Sequence, residues 1–75
     1  MAEKLLHASL EMYRKLGSIE GQAINLANLG SIARQRGNMV DARRLLTQSR
    51  DLYARIGIPH EVKKMQGWLD GLPPE

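Results

Sequence analysis

Four side chains stand out for what they could do to another polypeptide. Asn28 and Gln35 carry amides that pair with backbone N–H and C=O groups, Lys64 can meet a carboxylate, and Trp68 can cover an apolar side chain. Ile24, Asn28, Ser31 and Gln35 stand at i, i+4, i+7 and i+11, which on a helix makes one row. Covalent chemistry has no comparable candidates. The chain has no cysteine, no serine in a Gly-x-Ser-x-Gly turn, no glycine-rich phosphate loop and no paired-carboxylate motif, so an enzyme is not expected. His7 and His60 lack a second histidine at i+4, and only Glu3, Glu11 and Glu61 are near them in sequence. Neither a metal nor any other cofactor is expected from them.

Arg43, Arg44, Arg50 and Arg55, with Lys63 and Lys64, could form a stripe for phosphates. Asp41, Asp51 and Glu61 interrupt that stripe, and no aromatic side chain alternates with it as single-strand binding requires. Nucleic acid is therefore the weaker expectation. Eleven basic against eight acidic residues leave a net charge of +3, spread along the chain and naming no partner by itself.

A chain of 75 residues supports one small domain, which hides only roughly 60% of the surface its unfolded form exposes. The absence of cysteine rules out a disulfide framework and a thiolate zinc site, and fits a cytoplasmic setting. Met1 to Leu10 carries Glu3, Lys4 and His7 among its leucines, unlike a signal peptide, and no apolar run approaches bilayer length. A soluble protein without membrane partners is the expectation.

The elements that must position these side chains are helices. Leu5, Leu6, Met12, Tyr13 and Leu16, with small Ser9, trace a helical stripe over about residues 2–16, closed by Gly17. Ser18 can cap a second helix over about 19–36, apolar round most of its circumference and stopped by Gly37. Asn38 and Asp41 suit the start of a third, about 39–56, ended by Gly57. Pro59 suits the first turn of a fourth, about 59–70, with Val62, Met65, Trp68 and Leu69 inward. Pro73 and Pro74 forbid its continuation, and Leu72 to Glu75 should fray. Turns of two or three residues make sequential helices antiparallel, so the fold class is all-α.

Leu5, Leu6, Ser9, Tyr13 and Gly17 recur forty positions later as Leu45, Leu46, Ser49, Tyr53 and Gly57. A fixed period in that range marks a solenoid, whose units bury their apolar faces only against neighbours. Residues 23–46 then carry more specific signals. Leu26, Leu29, Gly30, Ala33 and Gly37 in the second helix, and Ala42, Leu46 and Ser49 in the third, resemble the signature of the tetratricopeptide repeat. The forty-residue period is similar to the subfamily with repeated Asn-Leu-Gly segments found in kinesin light chains and peptide-binding scaffold proteins.

That resemblance implies helices in the order B, A, B, A, with one full repeat over about residues 22–57 flanked by half repeats. It also implies that the row through Asn28 and Gln35 on the first A helix lines a concave groove. A forty-residue shift carries Ile24 to Lys64 and Asn28 to Trp68, which adds a cation and an indole to the same surface. The function implied is binding of a peptide or partner protein by Asn28, Gln35, Lys64 and Trp68. Plainer roles stand beside it: Asn28 as a solvated surface amide, Trp68 as a core or subunit contact, Tyr13 and Tyr53 as packing between helices.

Helix four departs from the pattern, with Asp70 in the register of Gly30 and Gln66 in that of Leu26, as befits a terminal copy facing water. About two repeats leave both end faces short of neighbours, so self-association into a homo-oligomer is the alternative expectation.

Overall fold

The computed structural model describes residues 2–73, the side chains at positions 2 and 13–16 excepted. Among them all regular structure is helical: α1 (Ala2–Leu16), α2 (Ile19–Gln35), α3 (Met39–Arg55) and α4 (Pro59–Asp70). The expected boundaries hold to within one residue, because each is written in local chemistry. Ser18 Oγ accepts from the Gly21 N–H at 3.2 Å, and Asn38 Oδ1 accepts from the Asp41 N–H at 3.4 Å. Pro59 opens α4 without a side-chain cap.

Gly37 and Gly57 close α2 and α3 with φ of 81° and 72°, a region that costs a side chain dearly. Each sits in a paired carbonyl motif: Asn38 N–H to Ala33 O and Gly37 N–H to Arg34 O, then Ile58 N–H to Tyr53 O and Gly57 N–H to Ala54 O. Nothing crowds either glycine, so the requirement is purely conformational.

The helices pack mainly on their chain neighbours, α1 on α2, α2 on α3 and α3 on α4. The molecule measures 35 × 31 × 15 Å, and 15 Å accommodates two helix layers at the usual separation of roughly 8–10 Å. The main core joins Ala23 and Ala27 of α2, Ala42, Leu46 and Tyr53 of α3, Met65 and Leu69 of α4, and Leu72. A second cluster joins Leu10 to Leu26 and Leu29, with Leu6, Leu45 and Leu52 against it.

The α2/α3 seam is the tightest contact. A β-carbon added at Gly30 would lie 2.8 Å from both Cγ and Cδ2 of Leu46 and 3.4 Å from Cβ of Leu45. Leu46 and Ser49 are fully buried, and Ser49 Oγ donates to the Ala23 carbonyl at 2.7 Å, tying the two helices through a polar bond inside the apolar seam. Leu26, Leu29 and Ala42 are buried beside them. Ala33 is half-buried against the core.

Two expectations need correction. On α1, Leu5 and Met12 are 71% and 62% exposed, while Leu10, outside the expected stripe, is buried. α1 packs chiefly on α2, which covers the sector holding Leu6 and Leu10; Leu5 and Met12 lie about 100° or more away round the axis. Leu72 does not fray. It is buried in the main core, its N–H reaches the Leu69 carbonyl, and Arg43 Nη2 donates to the Pro73 carbonyl at 3.1 Å. Pro74 and Glu75, and the side chains of Tyr13 and Leu16, lie outside the described residues.

A domain of this size has about 4–11 kcal/mol of stability in all, so damage to the seam should be plain. Leu46→Ala should cost about 2–5 kcal/mol in urea unfolding through the cavity it leaves. Gly30→Leu separates crowding from helix propensity, since leucine is the better helix former by nearly 1 kcal/mol. It should nevertheless lower stability by at least about 2 kcal/mol. A Gly30→Leu variant as stable as the parent would mean that the seam lies elsewhere.

Candidate functional site

α2 is covered by α1 along one flank and by α3 along another, which leaves a single strip of it exposed. Glu20, Ile24 and Asn28 run along that strip at four-residue intervals. Across from them α4 presents His60, Glu61, Lys64 and Trp68, and Tyr53 of α3 forms part of the floor. Together these residues line a cleft of about 400 Å³, with Ala27, Ile58 and Met65 supplying apolar wall.

Three of the four side chains singled out in the sequence, Asn28, Lys64 and Trp68, therefore share one cleft. Gln35 is exposed near the end of α2 and is not among the lining residues. It lies seven residues beyond Asn28, about 10 Å along the axis. α4 stops at Asp70, the register of Gly30, so nothing on α4 faces that far.

Trp68 is half-buried, resting partly on the core. Its ring also collects cations. The Lys64 ammonium lies 5.3 Å and the Arg34 guanidinium 5.8 Å from the ring centroid, both within cation–π range. Lys64 in the lining, with Arg34 reaching the Trp68 ring from outside the lining residues, makes this end of the cleft electropositive.

The other end has the opposite sign. Glu20 in the first turn of α2 and Glu61 in the first turn of α4 flank it, with His60 Nε2 3.5 Å from Glu61 Oε1. Burial raises the Tyr53 phenol above its ordinary pKa of 10.0, and the charges of Glu61 and then Glu20 push it further the same way. Tyr53 does pack between helices as expected. It is also a cleft residue, which its packing role concealed.

Glu20 and His60 were legible in principle. Extending the row one turn upstream of Ile24 reaches Glu20, and a forty-residue shift of Glu20 reaches His60. Arg34 had no such signal, because its counterpart falls beyond α4.

Elsewhere three arginines of α3, Arg43, Arg44 and Arg50, are engaged within the chain. Arg44 pairs with Asp41 at 3.2 Å, and Arg50 reaches Asp51 at 3.2 Å and Gln66 at 2.7 Å. Gln66 in turn donates to Asp70 at 2.8 Å, so the two departures from the repeat pattern form a polar network on the outside of α4. Among the described residues no cluster of three metal-ligating side chains occurs, and no helix is long and apolar enough to cross a membrane.

With Tyr13 replaced by phenylalanine, spectrophotometric titration should show Tyr53 ionising above pH 10.0. The folded state disfavours the phenolate, so stability from this group is complete below the ordinary value and is lost as pH climbs through the folded one. Glu61→Gln should lower the folded value without returning it to 10.0, because burial is the larger cause.

No family model, no curated protein and no solved structure matches this chain.

Proposed function

We propose that this chain is a non-catalytic, cytoplasmic interaction module of tetratricopeptide type, stacked in B-A-B-A order, that binds an extended peptide or partner protein in the cleft between α2 and α4. One observation carries the reading: Asn28, Lys64 and Trp68, chosen from two helices by a forty-residue shift, line the same cleft. The glycine-to-leucine contact at Gly30, the buried Leu26, Leu29, Ala42, Leu46 and Ser49, and the 15 Å thickness are all consistent with helix pairs in a solenoid.

The ligand chemistry follows from the lining. Asn28 offers an amide to a peptide backbone, Lys64 with Arg34 offers charge to an acidic side chain, and Trp68 offers apolar area. Gln35 would touch only a ligand long enough to run past the cleft. Duplex or single-stranded nucleic acid is the weaker reading, since Arg43, Arg44 and Arg50 already have partners within the chain.

Self-association is favoured by a separate observation, the exposed Leu5 and Met12 of α1. Their counterparts forty residues on, Leu45 and Leu52, pack against the α1/α2 cluster, so the α1 face has the chemistry of a surface that wants a neighbour.

Selection of extended peptides from a displayed library, with affinities read by isothermal titration calorimetry so that variants of the single tryptophan can be measured too, tests the main reading. Asn28→Ala and Trp68→Ala should each weaken a selected peptide by about 1–2 kcal/mol while leaving helicity intact. Unchanged affinity in both variants would end the proposal.

A further inference from the structure

The residue that the groove reading leaves unexplained is Tyr53. It is only 4% exposed and belongs to the main core, yet it lines the cleft. Among the described residues its hydroxyl forms no hydrogen bond. The ring is held in the core, while the hydroxyl oxygen is not cut off from solvent and has the cleft as the space from which a partner can reach it.

What that partner must be is set by the neighbours. Glu20 and Glu61 bring two full negative charges to this end, whereas the helix N-termini behind them bring only about half a positive charge each. The end stays net negative. An anion is repelled there, and a neutral amide leaves both carboxylates without a counter-charge. A primary ammonium has three N–H donors, matching the two carboxylates and the phenol oxygen.

We propose that Glu20, Glu61 and Tyr53 form a subsite for a cationic side chain, a lysine or arginine, carried by the polypeptide that occupies the cleft. This rests on the peptide-binding reading and gives it a polarity: cation at the Tyr53 end, carboxylate at the Lys64–Trp68–Arg34 end. Lys64 enforces the order by repelling a second cation from its own end. His60, beside Glu61, is the other titratable group facing the subsite. From Glu61 to Trp68 is seven residues, about 10 Å along α4. An extended peptide covers that in about three residues, so the recognised pattern is a basic residue and an acidic one about three apart.

Four capped synthetic peptides test this, built on one extended apolar sequence. One carries lysine and glutamate three apart, one has glutamine for the glutamate, one has norleucine for the lysine, and one has both replacements. Binding is read from Trp68 fluorescence and amide chemical shifts. The doubly charged peptide should bind about tenfold more tightly than the one lacking lysine, as a charge-assisted hydrogen bond would give. Tyr53→Phe, which keeps the ring in the core, and the pair Glu20→Gln with Glu61→Gln should each remove most of that advantage. Neither should weaken binding of the glutamate-only peptide, which places no cation at the subsite; the double glutamine variant, having lost two negative charges, should bind it as well or better.

Equal binding with and without lysine would overturn the subsite and leave the groove standing. So would a lysine advantage that survives in both variants, or lysine-induced shifts spread equally over Asp51, Asp70 and Glu3. If none of the four peptides binds, the groove reading falls together with the subsite.

Discussion

The close approach of α2 and α3 at Gly30 is the constraint from which the rest of the molecule follows. With no side chain at that position, Leu46 can occupy the space a β-carbon would fill, and around that contact the two helices also meet over the small residues Ala23, Ala27, Ala42 and Ser49. Small residues on both sides make the seam short-ranged and well defined, as packing without voids requires. The Ser49 hydroxyl on the Ala23 carbonyl adds a directional bond that apolar contact alone cannot supply.

Once α3 is held there, α2 has little surface left. α1 takes its Leu26 and Leu29 side, α3 takes the small-residue side, and the strip of Glu20, Ile24 and Asn28 is what remains. The Gly57 turn and Pro59 then return the chain as α4, whose Met65 and Leu69 join the same core. That anchoring leaves Lys64 and Trp68 opposite the free strip. The cleft is thus a by-product of how the core is filled, and its two charged ends follow from acidic residues at helix starts and cations further along.

Most of the architecture was legible because it rests on local chemistry. Ser18, Asn38 and Pro59 mark helix starts, and Gly37 and Gly57 mark ends, whatever the helices later touch. The forty-residue echo pairs Asn28 with Trp68 and Ile24 with Lys64, and these four residues line one cleft. What escaped depends on which neighbours a helix has. Leu5 and Met12 share the apolar pattern of Leu45 and Leu52, but only the α3 copies have a helix to cover them. Leu72, read as a fraying end, is held by core contact that no local rule foresees. Tyr53 read as packing because tyrosines at helical spacing generally pack, and its unpartnered hydroxyl is a property of three-dimensional placement alone.

The most direct test of the account is a set of nuclear Overhauser effects from the two α protons of Gly30 in the free protein. Strong cross-peaks to the Leu46 methyl groups, with weaker ones to Leu45, are the expected result. Gly30 protons that show contacts only within α2, with Leu46 methyls reporting on other residues, would contradict the seam and the cleft built upon it.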